Sequence, residues 1–168
     1  AADPEQLATA MERFGEQHGD VARTLVAQAR CQRSGKPERL SSTPALPELI
    51  AAPGVLLYDI ESDPDVRHDY LHGFWNLPCG SDGRWDLAAA RYQPLLVLAE
   101  HGEPRCWQRI ARYISCYDDW PVLHYGETES LALLRMAQRQ GVSEPQQALL
   151  RRRLVDVHAR IRQHWRLP

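Results

Sequence analysis

The chain has 168 residues, of which 43% are hydrophobic and 25% charged, an ordinary balance for one globular domain with at most a small appendage. A formal charge of −2 gives no global attraction to nucleic acid, so any such contact needs a local basic patch. No apolar run approaches the ~20 residues of a membrane span, and there is no signal-peptide pattern. The cysteines Cys31, Cys79, Cys106 and Cys116 lack CxxC or zinc spacing and read as reduced, cytosolic thiols.

In chain order, Asp3-Pro4 is a cap and first-turn pair for a helix with Leu7, Met11 and Phe14 on one stripe. Gly15 and Gly19 interrupt it, and Asp20 caps a second segment with Val21, Leu25 and Ala29 on its apolar face. Residues 1–33 thus form an N-terminal helical arm. Residues 34–53 turn to Ser, Pro, Gly and Thr and read as an extended linker. The main domain, 54–168, opens with a strand from Gly54 to Ile60. Further strands are expected over 70–77 and 92–99, separated by the turn Cys79-Gly80-Ser81-Asp82-Gly83. A helix after His101-Gly102-Glu103-Pro104 carries Trp107, Ile110, Ala111 and Ile114 at helical spacing. A short strand at 119–125 precedes a helix over 128–140, closed by Gly141, with Leu131, Leu134 and Ala137 inward. Ser143 and Pro145 open a last helix bearing Leu150, Leu154, Val157, Ile161 and Trp165. The order predicts an α/β fold, an antiparallel three-strand meander plus a parallel strand in one mixed sheet with flanking helices.

The first strand ends in Asp59-Ile60-Glu61. Alternation puts Asp59 and Glu61 on one side and Ile60 on the other. Two carboxylates on one face repel unless a cation lies between them, and hard divalent cations prefer oxygen ligands. The plainer reading is a strand whose polar end meets solvent.

Three segments resemble the RNase H-like (DEDD-type) exonuclease superfamily, and more closely the exonuclease domain of RecB-like nucleases. The first is Leu57-Tyr58-Asp59-Ile60-Glu61-Ser62-Asp63-Pro64 followed by Tyr70-Leu71-His72-Gly73. The second is Pro121-Val122-Leu123-His124-Tyr125-Gly126-Glu127-Thr128-Glu129, and the third is Leu154-Val155-Asp156-Val157. The likeness covers about 54–168. It implies an RNase H-like sheet and 3′–5′ exonuclease-like phosphodiester hydrolysis with two magnesium or manganese ions. The implied substrate is DNA or RNA, inside a larger DNA-processing protein with neighbouring nuclease or helicase domains.

By matching position Asp59 would bridge both ions, Glu61 would bind one, and Glu129 would fill the third acidic position. The alternative for Glu129 is N-terminal capping of its helix. His124 would orient a carboxylate or the substrate, or else be a satisfied core histidine. Asp156 is an accessory metal candidate that salt bridges to Arg152 and Arg160 would equally explain. Those two arginines, on a basic helix face, are the candidates for phosphate contact. Asp63 caps the turn before Pro64.

The family's fourth carboxylate would lie beyond Pro168, so the chain is expected to be a piece of a longer protein with a weak or inactive site. A non-catalytic RNase H-like module that binds nucleic acid or positions a domain is the other reading, and a helical-arm interaction module is a third.

Overall fold

The computed structural model describes residues 6, 9, 10, 13, 19–65, 68–98, 100 and 102–168. The first expected helix, with Asp3, Pro4, Leu7, Met11 and Phe14, lies outside the described residues apart from isolated positions. Leu46–His158 forms one compact unit, and Ala159–Pro168 joins the described residues up to Ala45 in another. The cuts therefore fall at 45/46 and 158/159, where the composition suggested 33/34 and 53/54.

In the larger unit, β2 (Gly54–Asp63), β3 (His68–Pro78) and β4 (Arg91–Leu96) form an antiparallel meander. β5 (Val122–His124) and β6 (Leu154–Asp156) add to it in parallel, giving a five-stranded mixed sheet of order β4-β3-β2-β5-β6. β2, the strand with the Asp-x-Glu pair, is its centre. Around the sheet lie α2 (Gly102–Ser115), α3 (Glu127–Arg139) and α4 (Glu144–Arg153), with α5 (Val157–His164) following β6. The fold is α/β.

Alternation along β2 sorts its side chains into two faces. Leu56 and Tyr58 join Phe74, Leu95 and Val122 under Cys106, Ile110 and Ile114 of α2 and Leu133 and Met136 of α3. Tyr58 and Phe74 stack with centroids 4.7 Å apart. On the opposite face Val55 packs with Leu123 and Val155 beneath Leu46, Leu49 and Val157. Further along that face Leu57, Trp75 and Tyr92 stay 41%, 48% and 45% exposed.

The inward stripe of α3 differs from the expected one. Leu133, Met136 and Ala137 are buried, whereas Leu131 is exposed. A one-step rotation puts residues spaced i, i+3, i+4 against the sheet.

The expected single helix after Ser143 is broken. Leu154 takes extended angles (φ −75°, ψ 122°), and Leu154, Val155 and Asp156 pair with Val122, Leu123 and His124. Leu154 and Val155 fit a helical period, yet strand pairing lets them reach opposite faces of the sheet, which no helix would allow. Arg153 donates to the carbonyls of Trp120 (3.1 Å), Ile114 (3.3 Å) and Tyr117, closing off the end of α2.

In the smaller unit α1 (Gly19–Ser34) packs with β1 (Glu38–Arg39), which pairs antiparallel with β7 (Trp165–Arg166). The expected linker thus contains a strand, and Trp165 belongs to a strand as well. Val26, Ala27 and Cys31 are the buried face of α1, while Val21 and Leu25 are exposed. Cys31 Sγ donates to the carbonyls of Lys36 (3.0 Å) and Arg166 (3.2 Å), tying the helix to both neighbours. All four cysteines are free thiols. Among the described residues no helix is long and apolar enough to cross a membrane.

Candidate functional site

The chain leaves β5 through a turn that its own polar groups fix. Gly126 sits at φ 97°, a conformation suited to glycine, and directly precedes α3. His124 Nδ1 lies 2.6 Å from the Gly126 carbonyl oxygen. The Gly126 N–H donates to Asp156 Oδ1 at 3.0 Å, and the His158 N–H donates to the same oxygen at 2.9 Å. Asp156 is therefore a staple between two parallel strands, on β6 rather than on the flank of a helix. The Tyr125 ring is exposed and lies 5.0 Å from that of His158.

Glu129 stands in the first turn of α3, where a carboxylate suits the positive helix end. Its Oε2 is buried and has no hydrogen-bond partner. A Cβ built at Gly126 would lie 4.0 Å from that oxygen, so the carboxylate leans back over the turn.

Asp59 and Glu61 share the partly open face of β2, both exposed, as alternation required. Asp59 is paired with Gly73, and Glu61 with Leu71. A groove of about 620 Å³ runs along this face, lined by Leu57, Asp59, Gly73, Trp75, Tyr92 and Tyr125 among others. His124 contributes to its wall.

The described residues divide the candidate acids. Val122 belongs to the helix-covered cluster and Leu123 to the opposite one. Alternation then puts Asp156, paired with His124 one strand over, on the helix-covered side, while His124 at the end of β5 also reaches the wall of the Asp59 groove. Glu129 stands at the start of α3, and its charge, with those of Asp69 and Asp59, bears on the buried Tyr58 hydroxyl. Among the described residues no three His, Cys, Asp or Glu side chains form a group able to hold a metal ion. A two-ion centre needs several carboxylates converging on ions about 4 Å apart. As placed, these residues do not fit such a centre, and no hydrolytic step is derived through one. Arg152 is exposed on α4, and Arg160 belongs to the smaller unit. Asp63 Oδ1 accepts the Asp65 N–H at 2.9 Å, the turn cap expected before Pro64.

Behind β2 lies a pair that spacing did not single out. Tyr58 Oη is 2.8 Å from His72 Nδ1, with both residues buried and cross-strand neighbours along the hairpin. Burial pushes the Tyr58 hydroxyl well up, and the charges of Asp69, Glu129, Cys106 and Asp59 push the same way. Burial lowers His72, opposed in part by Asp69 and Glu103. The readable signal is two polar aromatic residues at core-facing positions of adjacent strands. Tyr92 and Gly73 were missed as a pair because nothing in the sequence links a strand glycine to a tyrosine nineteen positions on.

Comparison of the chain with family models, with curated proteins and with solved structures yields no match.

Proposed function

We propose that this chain is an RNase H-like domain of a larger RecB-like DNA-processing protein. It engages the phosphodiester backbone of a DNA or RNA strand beside Asp59, a candidate acid that lines the open groove, in 3′–5′ exonuclease-like processing. The observation that carries this reading is the sheet itself. An antiparallel meander continues into two parallel strands in the order β4-β3-β2-β5-β6, and its central strand carries an exposed Asp-x-Glu pair near its C-terminal end. The aromatic rings of Trp75, Tyr92 and Tyr125 give bases a stacking surface along the groove. The protein works in the cytoplasm beside neighbouring nuclease or helicase domains.

A second reading, a non-catalytic module that positions nucleic acid, is favoured by the division of the acids between the two faces. Digestion and binding of a labelled single-stranded oligonucleotide with manganese separate the two. The expected result for this chain is binding with little or no digestion, the binding weakened by Asp59→Asn. Robust digestion abolished by Asp59→Asn would establish the full nuclease and remove the second reading. Binding without digestion that is unaffected by Asp59→Asn would remove the nuclease reading and leave the second.

A further inference from the structure

A glycine in the middle of a strand weakens it, since it loses more backbone entropy than other residues and has no side chain to pack. Gly73 sits in the middle of β3, between Asp59 on β2 and Pro94 on β4, and its use is visible in the side chain that covers it. A Cβ at this position would lie 2.6 Å from the Tyr92 hydroxyl oxygen and 3.1 Å and 3.2 Å from the Cε2 and Cζ atoms of its ring. The bare backbone of Gly73 is what lets the phenol lie diagonally along the sheet. Its hydroxyl thus comes down two residue pairs from its own cross-strand partner, Trp75, and onto the pair formed by Gly73 and Asp59.

Trp75 fixes the other end. Its ring is 5.6 Å from that of Tyr92 at an angle of 39°, a tilted aromatic contact. Tyr92 is therefore held by a ring neighbour on one side and by a missing side chain on the other. Its hydroxyl lies in the groove that Asp59 lines. The ring remains 45% exposed, and a β-branched residue at 73 would serve the strand better.

We infer that the Tyr92 hydroxyl, laid over the backbone of Gly73 beside Asp59, is a substrate-positioning donor that hydrogen-bonds a non-bridging phosphate oxygen of a bound nucleic-acid strand. The inference rests on the proposed function and names the group that orients the strand. A phenol donates to a phosphate oxygen without adding charge, beside a groove wall whose one carboxylate is Asp59.

The test measures binding of a fluorescein-labelled ten-residue oligothymidylate to the full chain in manganese, by anisotropy, for wild type, Tyr92→Phe and Gly73→Ala. Tyr92→Phe removes one oxygen atom and keeps the ring, so the fold and the stacking surface remain. Loss of a hydrogen bond to a charged group is expected to weaken binding about tenfold. Gly73→Ala displaces the phenol, not the backbone, and should give a similar loss. On a second oligonucleotide with neutral methylphosphonate linkages, which keep one uncharged P=O acceptor, the loss in Tyr92→Phe should be several-fold smaller, because the acceptor charge is gone. Wild-type binding with an unchanged dissociation constant in Tyr92→Phe would overturn the inference and leave the proposed function standing. An equal loss on both oligonucleotides would show that the phenol does not act on a charged phosphate oxygen and would overturn it too. No binding by wild type would overturn the proposed function, and the inference with it.

Discussion

The two faces of the central sheet share one backbone and differ in what their side chains answer to. On the helix-covered face Leu56, Phe74, Ile110, Val122 and Leu133 are fully buried, in one continuous apolar cluster. On the other face, beyond the cover of Leu46 and Leu49, the same strands present Leu57, Asp59, Trp75 and Tyr92 to solvent. The first face is explained by burial. The second keeps large aromatic rings half in water beside paired carboxylates, a combination that stability does not select. That contrast marks the open face as the part of the sheet free to take a ligand.

The contrast can be broken most directly at two adjacent residues of β3. Phe74→Ala deletes a fully buried ring, so a loss of about 3–5 kcal/mol is expected in urea denaturation. Trp75→Ala, one residue on and on the other face, removes a half-exposed ring with one aromatic neighbour, and about 1 kcal/mol is expected. Equal losses would show that the second face is a core like the first.

The next effect belongs to the sheet's parallel half. Asp156→Ala leaves the Gly126 and His158 N–H groups without their shared acceptor, and a loss of about 1–3 kcal/mol follows from that. If Asp156 were only a surface charge, the loss would stay below about 0.5 kcal/mol.

Much of this was legible in the sequence, for reasons that can be named. The meander and the parallel β5 were readable because their strands are short apolar runs bounded by Pro, Gly and Asp, as at Pro53-Gly54 and Asp63-Pro64. The shared face of Asp59 and Glu61 was readable because a strand has a strict period of two. β6 was hidden because three residues, Leu154–Asp156, are too few to show a period, and the helices on either side continue the pattern across them. Asp156 was misplaced with it. The division of the candidate acids between faces was beyond reach, since it depends on how β5 and β6 register against β2. The side chains that matter at Gly73 and Tyr92 meet only across the β3–β4 pairing.

The helix-covered face also holds a buried titratable group, His72. Burial keeps His72 below its ordinary pKa, so the native protein holds it neutral where the unfolded chain would take up a proton. Its Nε2 is buried without a partner, so a proton added there would find no acceptor. The unfolded state binds the additional proton below about pH 6.5. Stability should therefore decline as pH falls from there, and the decline should level off only below the native pKa. His72→Gln, which can still bond Tyr58, should flatten this part of a plot of urea midpoint against pH. An unaltered slope in that variant would assign the decline to other groups.

The smallest effect is expected where the functional reading is strongest. Asp59→Asn changes an exposed side chain that makes no hydrogen bond fixing a turn or a strand end. The neighbouring carboxylate on the same face, Glu61, repels it through solvent, an interaction worth only a few tenths of a kcal/mol. Removing that repulsion should leave the urea midpoint unchanged or raise it slightly, within about 0.5 kcal/mol. A residue dispensable for stability but needed for oligonucleotide binding is what a ligand-facing carboxylate predicts, since such groups are kept at a cost to the fold. A loss above about 1 kcal/mol in Asp59→Asn would make the residue structural, comparable to Asp156, and would remove the main distinction between the two faces.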